Sequence, residues 1–359
     1  MQISGQVSGQ IPGQVFDGHN DALLRLWLMG DRSGESFITG ATGGGKHKDS
    51  QRGHLDLPLA RAGGFVGGMF AMFVPSPAKT RRGLLSTNPI TQTHAAEATS
   101  HMLTIAHALA STHHDKITLC ATAGEIATAL ATHKIAMLLH MEGCEAIAPD
   151  LGNLDEYIKQ GVRAIAPVWS RPNVFATGVP FRFPASPNIG SGLTEAGRAL
   201  VKACNSKQIL LDVSHLNEAG FWDIASLSTA PLVATHSNVH ALCASSRNLT
   251  QKQLDTIAES GGLVGVNFAT AYLRADGKRD PATPLTTILR HIDALLETLG
   301  EGGVALGSDF DGAELPHDLA NAADLPKLIT AMHEAGYGEA LIARLTHQNW
   351  LDVLQRVIG

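Results

Sequence analysis

The sequence predicts an α/β fold, a (β/α)8 TIM barrel with its reactive side chains at the C-terminal ends of the strands. Three observations predict it. Eight short apolar or β-branched runs alternate with helix-period segments along the chain. The runs are continuously apolar, as strands of a parallel sheet covered on both faces are. Eight such βα units are the number that closes a barrel. A doubly wound open sheet is the alternative, but no G-x-G-x-x-G follows the first strand.

In order, the candidate strands are QVFDGHND (14–21), GFVGGMFAMFV (64–74), IAMLLHMEG (135–143) and VRAIAPVWS (162–170). ILLDVSHL (209–216), PLVATHSN (231–238), LVGVNFA (263–269) and VALGSDFDG (304–312) complete the set. Helix-period stretches lie between them, over 90–111, 153–161, 193–208, 218–228, 249–261 and 284–300. Thr194 with an early glutamate marks one helix start, and Gly261 and Gly300 mark two stops. Residues 41–53, ATGGGKHKDSQRG, lack phosphate-loop spacing because Lys46 is followed by His47, and read as a long mobile loop. No internal repeat or interdomain linker interrupts the pattern. The expectation is one domain over 1–359, with a barrel core at 15–312 and helices over 313–359 packed on it.

Composition restricts what the chain can do. Of 359 residues 44% are apolar and 17% charged, with a formal net charge of −6. Like charges form no block, which gives nucleic acid no electrostatic handle. No apolar segment approaches the roughly 20 residues that span a bilayer, and the first fifteen residues do not resemble a signal peptide. Cys120, Cys144, Cys204 and Cys243 are scattered, with no C-x-x-C. A soluble, cytoplasmic, reduced chain acting on small molecules is the expectation.

Histidine is the unusual count, at seventeen. His94, His101, His107, His113 and His114 fall in or beside one helix-like stretch and need no function. Others fall at strand ends. His19 and Asp21 close the first strand, two apart and expected on one face. Glu142 closes the third, His215 the fifth, His236 the sixth and Asp309 the eighth. In a closed barrel these ends meet. Imidazoles and carboxylates without thiolate suit Zn²⁺, Mn²⁺, Fe²⁺ or Co²⁺. Six groups exceed the three protein ligands of a single catalytic zinc and suit two metals sharing a carboxylate. Such machinery hydrolyses amides or esters.

The stretches DGHND, MEG, DVSH, THSNVHALCASSRNLT, GLVGVNF and GSDFDG, spread in order over Asp17 to Gly312, resemble the membrane dipeptidase (renal dipeptidase) family of dizinc peptidases, amidohydrolase-like barrels. The resemblance implies two Zn²⁺ per chain, with His19 and Asp21 on one, His215 and His236 on the other, and Glu142 bridging. It implies cleavage of dipeptides, including those ending in a D-residue, by a metal-bridging hydroxide. Asp309 would shuttle the proton, and Arg247 would clamp the substrate carboxylate. Asp311, two residues on, is the rival of Asp309. The resemblance also departs at one place: where the renal enzyme carries a carbonyl-polarising histidine, this chain has Trp169. Arg171 and Asn173 stand close enough to take over that task. No membrane partner is implied, and a homodimer is the assembly this reading allows. Two other functions compete: another binuclear amidohydrolase acting on N-acyl amino acids, lactones or cyclic amides, and a non-catalytic ligand-binding barrel.

Overall fold

Nine strands are present among the residues described by the computed structural model, which are 13–41, 53–77 and 85–359. They are β1 Val15–Asn20, β2 Phe65–Phe73, β3 Ile117–Cys120, β4 Ile135–Glu142 and β5 Val162–Ala166, followed by β6 Leu210–Leu211, β7 Val233–Ser237, β8 Leu263–Val266 and β9 Val304–Leu306. All pairings between them are parallel. One sheet runs β1-β2-β4-β5-β6 and a second β7-β8-β9. Single bridges join the two: Asp212 with Val233 on one side and Asn20 with Phe310 on the other. The Asp309 N–H also donates to the His19 carbonyl at 3.0 Å. Eight strands therefore close a ring, as the alternation predicts.

The ninth strand, β3, is a correction. It pairs with the first half of β4, Ile117 opposite Ile135 through Cys120 opposite Leu138, and β5 takes over from Leu139 onward. β3 and β5 thus lie end to end along one edge of β4. Four residues with two half-exposed carry too little pattern to be read as a strand. The helix that follows, Ala123–Ala131, was likewise not expected; Thr122 caps it by accepting from Glu125 N. Other expected helices form where the signals place them. Thr194 caps Glu195–Ser206 by accepting from Gly197 N, and Gly300 ends Leu285–Leu299 with φ of 69°. The 41–53 loop and the leader fall largely outside the described residues. No described helix is long and apolar enough to cross a membrane, and all four cysteines are buried and unpaired.

Alternation along the strands divides the core. Phe16, Met69, Ala136, Leu138, Ala164, Leu210, Val233, Leu263 and Ala305 point inward and pack with Trp350, Val353 and Leu354 of the last helix, Asn349–Ile358. Val15, Phe70, Met137, Leu139, Ile165, Val264 and Leu306 face the surrounding helices instead. The C-terminal helix does more than pack on the outside of the barrel: its Trp350 closes the barrel interior from below. Trp350 is fully buried and its indole N–H donates to the Leu306 carbonyl at 2.9 Å. Gly18 makes room for it, since a Cβ there would lie 2.4 Å from the ring and 2.4 Å from the Thr235 carbonyl. With the lower half filled, the inward positions of the upper half are left for polar groups.

Trp350→Ala should cost about 3–5 kcal/mol, the range for emptying a large buried aromatic site. Denaturant unfolding checks it. A loss below about 1 kcal/mol would mean that the barrel floor is held by other contacts.

Candidate active site

The inward-facing side of β4 passes from Ala136 and Leu138 to His140 and Glu142, so one strand carries both floor and site. The other groups arrive just past strand ends. β6 is only two residues long, and His215 lies four residues beyond it at φ of 65°. Asp309 and Asp311 follow β9 at φ of 62° and 67°. Non-glycine residues in this left-handed region carry strain, which concentrates at functional sites. Asp21 requires a correction. β1 ends at Asn20 after a register irregularity, and Asp21 is the residue that starts the helix Ala22–Met29. His19 and Asp21 still meet, Nε2 to Oδ2 at 3.5 Å, through this turn rather than through strand alternation. The Asn20 side chain donates elsewhere, to the Met69 carbonyl.

Glu142 lies at the centre and divides its two oxygens. Oε1 is 3.0 Å from His215 Nε2 and 3.5 Å from His236 Nε2, while Oε2 is 3.7 Å from His19 Nε2. The His215 and His236 Nε2 atoms are 3.0 Å apart. His19 belongs to two compact groups, one with Glu142 and His236, the other with Asp21 and Asp309. Behind the ligands, Ser170 Oγ meets His215 Nδ1 at 2.7 Å, and Thr235 Oγ1 meets His236 Nδ1 at 2.8 Å. Asn267 donates to Asp309 Oδ2 at 2.9 Å. Gly312 must lack a side chain: its Cβ would stand 2.2 Å from Asp21 Oδ2 and 2.3 Å from Asp309 Oδ1.

This collection of groups calls for positive charge. Burial pushes Glu142 well above the usual carboxylate range, and the charges of Asp21 and Asp309 push it further. Asp21 is pushed up to about 7, by burial first and by Asp311 second. Burial also raises Asp309 and lowers His215 and His236 well below an ordinary imidazole. Among the described residues, both nitrogens of His19 and Oδ1 of Asp21 are buried without a hydrogen-bond partner. Neutral imidazole lone pairs and crowded carboxylates aimed at one place are what a divalent cation takes as ligands. His19, Asp21, Glu142, His215 and His236 fit that task by donor type and direction.

A cavity of about 1000 Å³ opens over these groups, with Asp21, Glu142, His215 and Asp309 in its floor. Trp169 forms part of its wall, with Phe73 at 4.7 Å and Phe181 at 5.2 Å between ring centroids, and His215 at 6.0 Å. Arg171 is fully buried behind that wall. It donates to Glu145 and to the Val74 carbonyl, each at 2.5 Å, and its guanidinium lies 5.1 Å from the Trp169 ring. Asn173 is occupied in holding its own loop, accepting from Phe175 N and Ala176 N. Arg247 is buried beside the candidate ligands, donating to the His236 carbonyl at 2.9 Å and to Ser237 Oγ at 3.2 Å, with Nε unpaired among the described residues. Asp311 is committed to Arg25 Nε at 3.0 Å and His54 N at 2.7 Å. Sequence reasoning missed His140, Asp212, Thr235, Ser170 and Asn267. Only His140 left a signal, two residues before Glu142 and therefore on its face.

Comparison with known proteins agrees with this geometry. The family model described as "Membrane dipeptidase (Peptidase family M19)" matches residues 10–358. A metallopeptidase from Rhodobacter sphaeroides, solved with a phosphinate mimic of the dipeptide L-Ala-D-Ala, superposes with a TM-score of 0.89 at 44% identity, covering 96% of this chain and 99% of its own. A dipeptidase of family M19, described as dipeptidase AC, gives 0.87 at 46% identity over the same shares. An uncharacterized protein in a pqqA 5′ region of Klebsiella pneumoniae is 49% identical over 242 residues, 67% of this chain and 89% of its own.

The charge crowding yields a pH test on protein stripped of metal by chelator. A carboxyl whose pKa is raised by folding gives stability that is full below its unfolded pKa and is lost as pH rises through the folded value. Asp21 and Asp17, both pushed up to about 7 with burial as the first cause, and Glu142, pushed well above its ordinary range by burial, all act in that direction. The lowered histidines, His19, His140, His215 and His236 among them, act oppositely, but only below their ordinary value of about 6.5. Melting temperature of the stripped protein should therefore fall as pH rises from about 6.5 through about 7, and reloading metal should remove the fall. A flat or rising profile in the stripped protein would contradict the charge assignment.

Proposed function

Since the chain belongs to the membrane dipeptidase family, peptidase family M19, and is a metal-dependent dipeptidase, we propose that its metals are two zinc ions, bridged by Glu142. The observation that supports this is the division of the Glu142 oxygens, one toward His215 and His236 and the other toward His19. His19 and Asp21 would hold one ion and His215 and His236 the other. When bound, a metal pair of this kind polarises the scissile carbonyl and lowers the pKa of a water near neutrality.

The remaining work belongs to the chain. Asp309 is the proton carrier: Asn267 holds its Oδ2, leaving Oδ1 free to take a proton and hand it to the departing amine. Burial raises Asp309, the direction that strengthens a carboxylate's hold on a proton. Arg247 is the partner for the substrate's terminal carboxylate. Two of its donors are used on the strand bearing His236, and the rest of its five remain for a ligand. Trp169, with Phe73 and Phe181, shapes the side of the cavity against which a substrate side chain packs. Arg171 holds Trp169 in place from behind rather than reaching the substrate itself. The substrates are small dipeptides. The L-Ala-D-Ala mimic in the Rhodobacter sphaeroides enzyme favours acceptance of a C-terminal D-residue here as well.

Metal analysis of purified protein should give two ions per chain, zinc by preference, and an L,L-, L,D- and D,L-dipeptide panel should show turnover. One tightly held ion in fully active protein would overturn the bridging role of Glu142. Asp309→Asn should lower kcat about 10²–10⁴-fold with metal content kept, the usual range for a lost proton carrier, and Asp311→Asn should act mainly on stability. The reverse ranking would assign the proton to Asp311. Arg247→Ala should lose roughly 10²-fold or more in kcat/KM on free dipeptides and little on dipeptide amides, since about 1.4 kcal/mol is tenfold. Equal losses on acid and amide would reduce Arg247 to a support of the His236 strand.

A further inference from the structure

Below the ligands a chain of polar contacts runs through the barrel interior from Asp212 to His236. Asp212 is fully buried, on the segment that follows β6. Its Oδ1 accepts from Ser214 N and from Thr235 N, both at 2.9 Å. Its Oδ2 contacts Thr235 Oγ1 at 2.6 Å and lies 3.3 Å from His140 Nε2. Thr235 Oγ1 in turn lies 2.8 Å from His236 Nδ1.

Proton counting gives this chain a direction. An ionised carboxylate only accepts, and a threonine hydroxyl has one proton. The proton of Thr235 is therefore committed to Asp212 Oδ2, so the side of Oγ1 facing His236 is a lone pair. A lone pair can face Nδ1 only if Nδ1 carries the hydrogen. His236 is then fixed as the Nδ1–H tautomer, and Nε2, the atom facing Glu142 and His215, presents its lone pair. Direct carboxylate–imidazole contacts orient metal-binding histidines in the same sense. Here a hydroxyl is inserted between the two.

We propose that Asp212 acts through Thr235 as a positioning relay that sets the tautomer of His236 for cation binding. The proposal rests on His236 being a metal ligand. It makes a prediction that simple packing does not. In Asp212→Asn the amide oxygen stays on the two backbone N–H groups, because nothing else can accept from them. The amide nitrogen then occupies the Oδ2 position and donates to Thr235 Oγ1. That frees the threonine proton to donate to His236 Nδ1, which pushes the imidazole hydrogen onto Nε2, where the metal should be. Asp212→Asn reverses the relay, whereas Thr235→Val only interrupts it.

The test uses full-length protein stripped of metal and titrated with Zn²⁺ against a chromophoric chelator, alongside melting of the stripped forms. Thr235→Val, which keeps the backbone N–H and the side-chain shape, should weaken Zn²⁺ binding about 10–100-fold, and Thr235→Ser should restore it to within a few-fold of wild type. Asp212→Asn should be weaker than Thr235→Val. Melting of the stripped protein should rank the variants differently from the Zn²⁺ titration, because the packing role and the tautomer role are separate. His236→Ala is the control: unchanged Zn²⁺ binding there would show that His236 is no ligand. If His236→Ala loses Zn²⁺ while Thr235→Val keeps it, or if serine fails to rescue, the relay is overturned and the ligand assignment stands. If Asp212→Asn binds better than Thr235→Val, the proton runs the other way. The Val and Ser pair decides the matter should Asp212→Asn fail to fold.

Discussion

Burying Glu142 between three imidazoles and two further carboxylates is the constraint on which the rest of this protein depends. Burial opposes the charged form of each of them, raising the acids and lowering the histidines. Removing charges from water costs several kcal/mol each unless opposite charge replaces the lost solvation. A divalent cation would supply that replacement. The barrel makes such a collection possible because the lower interior is filled by Phe16, Leu138, Trp350 and their neighbours, so the polar groups of the upper half sit on a rigid floor.

The elements that bring the candidate ligands together are less regular than a barrel drawn from its strand count. β6 has two residues and β9 three, and the side chains they deliver stand on left-handed backbone beyond the strand ends. The network around them holds that geometry. Asp17 accepts from the Ser308 N–H and hydroxyl, fixing the turn that leads to Asp309. Asp311 ties the same turn to Arg25 and to residue 54. Arg247 ties Ser237 and the His236 carbonyl to the loop after β7. Strain at the site is thus offset by hydrogen bonds anchored on neighbouring strands.

Much of this was legible in the sequence, for a physical reason. Candidate ligands at strand ends follow apolar runs, and the runs LLHMEG and LVATHS mark both the strand and its polar terminus. His19 with Asp21 was legible as a pair, although the turn that joins them was not, because a register irregularity in β1 has no period to betray it. The supporting groups were silent. Asp212, Thr235 and Ser170 act through one atom each on a histidine distant in sequence or adjacent to it, and a lone hydroxyl or carboxylate in an apolar run carries no spacing signal. Arg171 was misleading in the opposite way. From sequence it was an accessible cation beside Trp169, yet the fold buries it completely against Glu145 and Val74.

That burial bears on how the cavity handles charge. At the position where the family resemblance leads one to expect an imidazole, Trp169 offers an apolar face and a single N–H, and no positive charge. Arg171 sits behind the ring but does not restore the charge toward the cavity, because Glu145 neutralises it within the wall. On the opposite side Arg25 is likewise cancelled by Asp311. Arg247, by contrast, is a buried guanidinium with no carboxylate in direct contact among the described residues, hydrogen-bonded only to a carbonyl and a hydroxyl and lying 5.8 Å from the Tyr272 ring. Under the proposed function a carboxylate-bearing substrate would meet two sources of positive charge, metal ions held at Glu142 and the Arg247 guanidinium. Phe73, Trp169 and Phe181 would then limit which side chain fits, and Arg247, bonded to the His236 strand, would keep the charged end of the substrate close to the bond being cut.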